Sequence, residues 1–213
     1  MGFLEDKDAQ SIRKRFEKLE KPVRIINFTQ EIECQCCRET RMLLEEVAAL
    51  SDKITLQVYN FQMDSDKAKD FYIDKIPATV IMSDEDIGIR YYGIPSGYEF
   101  ASLLESIEMV SRDISPLSKS ILEKLKRIDK KVHIQVFVTP TCPRCPSAVV
   151  TGFALAHASP LITADMVEAT EFPHLANKYG VMGVPRVVIN EDTFFEGALP
   201  EVAYVDKVLE ALR

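Results

Sequence analysis

Apolar residues along this chain fall into a pattern that occurs twice. Near the N-terminus Ile12, Phe16 and Leu19 stand at i, i+4 and i+7, one stripe of an amphipathic helix. Ile121, Leu125 and Ile128 repeat the stripe 109 positions later. Val23, Ile25 and Phe28 then read as a buried strand bounded by Pro22, and Val132, Ile134 and Phe137 repeat it, again 109 on. One residue is gained in the first half near Gln30-Glu31, and the interval becomes 108. Leu43, Val47 and Leu50 mark the next helix of the first half, and Ala148 to His157 that of the second. Strands follow at Ile54 to Tyr59 and Ile162 to Ala169, and then a short polar helix in each half.

The repeat continues to the end of each half. Ile73, Ile76, Val80 and Ile81 match Val181, Val184, Val188 and Ile189 at 108. Ala78–Met82 with Gly88–Tyr92, and Arg186–Asn190 with Thr193–Glu196, read as hairpins. Phe100, Leu103, Leu104 and Ile107 line a closing helix matched by Val205, Val208, Leu209 and Leu212, now at 105. Each half therefore reads α-β-α-β-α-β-β-α. A strand–helix–strand crossover makes the first two strands parallel, and the hairpin adds an antiparallel pair. The expected fold is α/β, with two tandem domains, each a mixed four-stranded sheet flanked by helices. A period near 108 residues is too long for a solenoid unit. The break lies in Ser111 to Pro116, giving expected domains of residues 1–113 and 114–213.

Composition narrows the setting. A chain of 213 residues suffices for two small domains, and an apolar fraction of 46% is that of a globular protein. A net charge of −7 gives no electrostatic footprint for nucleic acid. No apolar run reaches the roughly 18 residues of a membrane helix, and no basic amphipathic stretch suggests a membrane surface. The charged segment Met1 to Glu20 does not read as a secretory signal, so the expected location is the cytoplasm. The absence of Trp, few Asn and Gln and 28% charged residues agree with a thermophilic source.

Four of the five cysteines stand in two Cys-x-x-Cys elements, Cys34 to Cys37 and Cys142 to Cys145. In a reducing compartment such elements are catalytic or metal-binding more often than structural. Each follows a strand and opens a helix, with the first cysteine expected at about the N-cap and the second one turn in. Unpaired N–H groups and partial positive charge there favour a thiolate, the nucleophile of disulfide exchange. The second thiol then resolves the mixed disulfide. A Cys34–Cys36 bond would close a small strained ring, so Cys34 is expected to pair with Cys37.

The two elements differ. Cys142 to Cys145 encloses Pro143, expected at the first helical position, and Arg144, a permanent cation. Glu31 and Glu33 precede Cys34, and carboxylates disfavour a thiolate. Cys142 is therefore expected to be the more acidic thiol and the second site the stronger oxidant. Cys36 reads as an exposed spacer, or alternatively as a third redox or metal-binding thiol. In both halves a proline, Pro77 or Pro185, lies 40 residues after the second cysteine. Each could simply begin a strand. Recurrence favours cis Ile76-Pro77 and Val184-Pro185 bonds that present the preceding backbone to an extended substrate beside the thiols.

With these residues in place, each half resembles the thioredoxin/glutaredoxin fold. The tandem arrangement resembles the protein disulfide oxidoreductases (glutaredoxin-like proteins) of thermophilic archaea and bacteria, most specifically in Val136–Pro146, Asp165–Ala169, Val181–Ile189 and Gly88–Gly97. The resemblance implies dithiol–disulfide exchange on protein substrates, as reductase, oxidase and sometimes isomerase. It implies no bound cofactor, electrons from NADPH through a thioredoxin-reductase-like flavoprotein, and peroxiredoxins among the partners. Two features depart from thioredoxin. The buried aspartate of the strand before the cysteines is replaced by Asn27 and Val136, and the tryptophan before the first cysteine is absent.

Other readings compete with this one. Four thiolates can hold zinc as a non-catalytic scaffold, but such modules separate their pairs by about 15–20 residues. A glutathione-dependent glutaredoxin or a dedicated electron donor to a peroxidase are the enzymatic alternatives. His133 on a strand edge, His157 near a helix end and His174 at a polar helix start read as structural or solvated. Glu168 reads as salt-bridged or solvated, or as a proton shuttle under the second site. Arg38 and Arg41 read as an exposed helical face or as charges that steer the thiols.

Overall fold

A computed structural model describes residues 2–213. In chain order the first half contains α1 (Asp6–Phe16), β1 (Val23–Thr29), α2 (Cys37–Ala48), β2 (Ile54–Asn60), α3 (Ser65–Asp70), β3 (Ala78–Met82), β4 (Ile89–Tyr92) and α4 (Glu99–Arg112). The second half repeats the order with α5 (Lys119–Leu125), β5 (Val132–Val138), α6 (Cys145–Ala158), β6 (Ile162–Glu168), α7 (Pro173–Lys178), β7 (Arg186–Ile189), β8 (Thr193–Glu196) and α8 (Glu201–Glu210). The apolar stripes fall where the pattern places them: Ile12, Phe16, Ile121 and Leu125 are buried, as are Leu103, Ile107, Val205 and Val208.

The strands form one mixed sheet of eight, in the order β2-β1-β3-β4-β6-β5-β7-β8. Each half supplies the same four-strand order, and β4 joins β6 in parallel, from Ile89 beside Ala164 to Tyr92 beside Val167. That position explains why β3 and β4 are buried throughout, while β2 at one edge and β8 at the other alternate with solvent.

The larger apolar core runs without a break through both halves, on the sheet face covered by the longer helices. α4 lies against α6, and Tyr91 of β4 meets Phe153 of α6 edge to face with ring centroids 5.0 Å apart. The buried Tyr91 hydroxyl is hydrogen-bonded to Ser106 at 3.0 Å. A smaller core with Phe28, Tyr92 and Phe137 lies on the other face, under α3 and α7.

The last helix of the first half ends within the Ser111 to Pro116 segment, though not at its first residue. Ser111 is not a breaker: it belongs to α4 and is buried, its hydroxyl donating to Lys21 O at 2.7 Å and accepting from Glu20 N at 2.8 Å. The helix instead ends at Asp113, whose backbone is left-handed at φ 52.

Candidate functional site

Strand directions place both cysteine pairs on one edge of the sheet. β1 and β4 run the same way because each is antiparallel to β3. β4, β6 and β5 are parallel in turn, so β1 and β5 also point the same way. Each cysteine element leaves the C-terminal end of its strand. The two strands are four positions apart in the sheet, about 19 Å at 4.7–4.9 Å per strand. Four sulfurs around one zinc, each at about 2.3 Å, do not fit that separation, which removes the shared-zinc scaffold reading.

Cys34 is bonded to Cys37, and Cys142 to Cys145, with Cα atoms 5.5 Å apart in each pair. The helix starts correct the sequence expectation. α2 begins at Cys37 and α6 at Cys145, so the second cysteine is the first helical residue and the first lies a turn earlier. Pro143 accordingly sits in the preceding turn, where Cys142 N–H donates to Thr139 O at 3.1 Å. Pro146 takes the first-turn position that suits a missing N–H. In the first site Thr40 closes the helix start on Cys36 O, through its N–H at 2.9 Å and its hydroxyl at 2.7 Å. The residue gained in the first half appears in this loop: Cys34 lies five positions beyond the end of β1, Cys142 four beyond β5, and Glu33 takes a left-handed φ of 59.

Exposure grades the thiols. Cys37 and Cys145 are fully buried, whereas Cys34 is partly exposed and Cys142 is 7% exposed. Arg144 and Pro143 are exposed beside the second pair, and Glu31, Glu33 and Gln35 beside the first.

Both Ile76–Pro77 and Val184–Pro185 bonds are cis, as their recurrence leads one to expect. Ala78 pairs with Phe28 of β1, and Arg186 with Phe137 of β5, so each X-Pro dipeptide enters the sheet at the edge from which its cysteine pair emerges. Pro77 O accepts from Gly93 N at 3.0 Å and Pro185 O from Gly197 N at 2.8 Å. Ile76 and Val184 remain partly exposed.

Asn27 and Val136, where thioredoxin has its aspartate, are both buried. Asn27 donates to Ala78 O at 3.1 Å and so ties β1 to β3, leaving its Oδ1 unpartnered. Carboxylates near the sites come instead from across the seam between the halves. Segment Gly93–Tyr98, after β4, rests on the second half: Ile94 N donates to Glu171 Oε1 at 2.7 Å, and Tyr98 N to Pro140 O at 2.9 Å, two residues before Cys142. The next residue, Glu99, is 1% exposed. Burial raises its carboxyl to about 7 against a hydrogen bond from Ser102, and its Oε1 has no partner. Nothing in the sequence around Glu99 distinguishes it from an ordinary acidic helix start.

Several residues correct their sequence readings. Cys36 is not an exposed spacer: it is partly buried, and its thiol faces Glu171 of the second half. Burial first, then the charge and hydrogen bonding of Glu171, push it up to about 11. Glu168 is neither solvated nor ion-paired. It is buried between the sites at the end of β6, accepting from Thr170 Oγ1 at 2.6 Å and Glu171 N at 2.7 Å. His133 lies on β5, an interior strand, and its Nε2 meets buried Asp165 at 2.6 Å. His157 approaches Asp113 at 3.4 Å, and His174 is exposed. Arg41 pairs with Glu45 at 2.7 Å and Arg38 is exposed.

A thioredoxin-domain family model matches residues 132–210. A protein disulfide oxidoreductase from Aeropyrum pernix superposes with a TM-score of 0.89 and is 31% identical, over 96% of this chain and 91% of that one. The chain belongs to the tandem thioredoxin-fold protein disulfide oxidoreductases. Within the same architecture, the alkylhydroperoxide reductase AhpF from Enterococcus faecalis also superposes at 0.89, with 27% identity over 97% of this chain and 99% of that chain. A sequence relative, the F component of alkyl hydroperoxide reductase from Pseudomonas aeruginosa, is 27% identical over 188 residues. The match covers 88% of this chain and 34% of that protein; the chain spans about a third of the length of the curated relatives it matches. That membership agrees with redox activity at the two cysteine pairs. Among the described residues no helix is long and apolar enough to cross a membrane.

Proposed function

We propose that the protein exchanges disulfides with protein substrates at both cysteine pairs, each served by its own thioredoxin-like unit, residues 1–113 and 114–213. The observation that carries this reading is the exposure gradient: in each pair the first cysteine is the more exposed residue and the second is fully buried at the helix start. In the reducing direction the Cys34 or Cys142 thiolate attacks a client disulfide. A mixed disulfide forms and one client thiolate leaves. Cys37 or Cys145 then displaces the second client sulfur, closing the protein's own disulfide. Two electrons pass to the client, and the protons released by the two thiols end on its thiolates. The Ile76-Pro77 and Val184-Pro185 segments hold the client strand beside the sulfurs through backbone groups.

The two sites divide the work unequally in this account. Arg144 favours the Cys142 thiolate, while Glu31 and Glu33 oppose that of Cys34, so the second site is the stronger oxidant. Reduction in a cytoplasmic setting comes from NADPH through a thioredoxin-reductase-like flavoprotein. A second reading, a dedicated electron donor to a peroxidase such as a peroxiredoxin, is favoured by the likeness of nearly the whole of this chain to the alkylhydroperoxide reductase AhpF. Rates toward an oxidised peroxiredoxin and toward insulin separate the two.

Trapping tests the proposal. A Cys37→Ser/Cys145→Ser chain, reduced and mixed with a disulfide-containing client, is expected to accumulate mixed disulfides at Cys34 and Cys142, located by peptide mass mapping. Adducts confined to Cys36, or none at all, would refute the assignment.

A further inference from the structure

Each X-Pro dipeptide is reached through a short arm, Tyr72 to Ile76 before Pro77 and Gly180 to Val184 before Pro185. The two arms share one backbone. Tyr72 and Gly180 are left-handed, at φ 55 and 58. Ile73 N donates to Ala68 O at 2.7 Å and Val181 N to Ala176 O at 2.8 Å, the same bond back to the preceding helix. Both arms end in a cis proline at the sheet edge from which the cysteine pairs emerge. With the backbone held in common, the side chains between these fixed points set what each arm presents to a client.

Those side chains differ in kind. On the first arm Asp74 and Lys75 form an ion pair at 2.5 Å, and the Lys75 ammonium lies 3.7 Å from the centroid of the Tyr92 ring. The lysine side chain is folded down, 16% exposed, and that of Asp74 is left in solvent at 74%. Glu31 and Glu33, exposed beside Cys34, are acidic as well. An apolar group brought onto this arm would strip water from a carboxylate without replacing its hydrogen bonds. Two apolar residues of the first half are exposed too, Tyr72 at the far end of the arm and Ile32 between Glu31 and Glu33, but neither stands next to the X-Pro dipeptide in the chain.

The second arm has Met182 and Gly183 where the first has Asp74 and Lys75. Met182 is 93% exposed, more than any other large apolar side chain among the described residues. A Cβ built on Gly183 would meet nothing within 4 Å, so the space beside the arm is open. Met182 therefore adds almost nothing to the buried core, yet it stands at the approach to the cis proline, where an extended client would lie. Its unbranched, polarizable thioether adapts to apolar groups of varied shape.

We propose that Met182 is the client-specificity residue of the second site. With the open space at Gly183 it takes an extended client segment that carries a bulky apolar side chain next to the reactive cysteine, while the Asp74–Lys75 pair denies the first site that preference. The inference rests on the exchange reading above and adds a substrate class to it: a segment both extended and apolar around its cysteine, as in an unfolded chain. The chemistry is the same exchange, in which the two thiols of the site close to a disulfide and the client's disulfide opens to two thiols.

The test uses full-length chains with one working site. Cys34→Ser/Cys36→Ser/Cys37→Ser leaves the second, and Cys142→Ser/Cys145→Ser the first. Each is reduced, freed of reductant and mixed with the symmetric disulfide of a short peptide whose single cysteine is flanked by leucine or, as a control, by glycine. Released peptide thiol is measured by chromatography after acid quenching. At the second site the leucine peptide is expected to react about tenfold faster than the glycine peptide, the gain from partly burying one leucine-sized side chain. At the first site the two peptides should react at about equal rates. Met182→Leu should keep the second-site preference and Met182→Asp should abolish it, and Asp74→Met/Lys75→Gly should confer it on the first site. The ratio is taken within one protein, so a partial loss of folded chain does not imitate a loss of preference. Equal rates at the unsubstituted second site, or a preference that survives Met182→Asp, overturn the proposal. The glycine peptide reports exchange itself: reaction with both peptides at equal rates defeats the selectivity alone, whereas no reaction with either defeats the exchange reading and this inference with it.

Discussion

Glu99 sets the helix macrodipole against burial. A glutamate in the first turn of α4 is favoured by the dipole by about 0.3–1 kcal/mol, which would lower its carboxyl. Burial at 1% exposure with one oxygen unpartnered acts in the opposite sense and wins, raising it from 4.5 to about 7. Because the folded value is the higher one, the group costs nothing below pH 4.5. Stability is lost as pH rises toward 7, and the loss is constant above that. The shift corresponds to about 3 kcal/mol. Glu99→Gln should therefore gain on the wild type by about that amount between pH 4.5 and 8 in urea unfolding of the oxidised proteins. Parallel pH profiles for the two would show that Glu99 ionises without penalty. Residues of this kind escape sequence reading because their character lies in what covers them. Cys36 and Glu171 meet from opposite halves, 135 positions apart in the chain, and Glu99 owes its character to burial. The four paired cysteines and both prolines stood out in the sequence because fixed spacing within each half reveals them.

At the scale of elements, the apolar periods located the strands and the longer helices, since each is set by residues it contains. What they misplaced were the starts of α2 and α6. The turns that hold the first cysteines delay each helix by two residues, and no local apolar period records a delay. The segment Gly93–Tyr98 was likewise identified only as a typical sequence of its family, whereas its contacts are with the other half. Gly97 is its tightest point: φ is +60, and an added Cβ would lie 2.2 Å from Pro140 O. A left-handed non-glycine residue costs about 1–2 kcal/mol before any clash with backbone. Gly97→Ala should thus destabilise the protein by at least about 2 kcal/mol, seen as a lower urea midpoint, and loosen the seam beside Cys142. A change within about 0.5 kcal/mol, the range of an ordinary surface substitution, would show that the close approach to Pro140 is not maintained.

For the molecule as a whole, duplication was legible and fusion was not. Two copies of one pattern imply two similar units, but the parallel pairing of β4 with β6 depends on strands from different units and leaves no periodic trace. That pairing turns two four-stranded sheets into one, aligns both cysteine pairs on a single edge and carries the larger core through both halves. Cysteine pairs that leave strands about 19 Å apart in one sheet would, on the proposed reading, be able to act on the same client or in succession. The claim on which all of this depends is that both pairs are chemically active. Insulin reduction by the wild type, Cys34→Ser, Cys142→Ser and the doubly substituted chain, with dithiothreitol as electron source, tests it most directly. Each single variant is expected to keep part of the activity, and the double variant to fall to the dithiothreitol background; a double variant as active as the wild type would contradict the account.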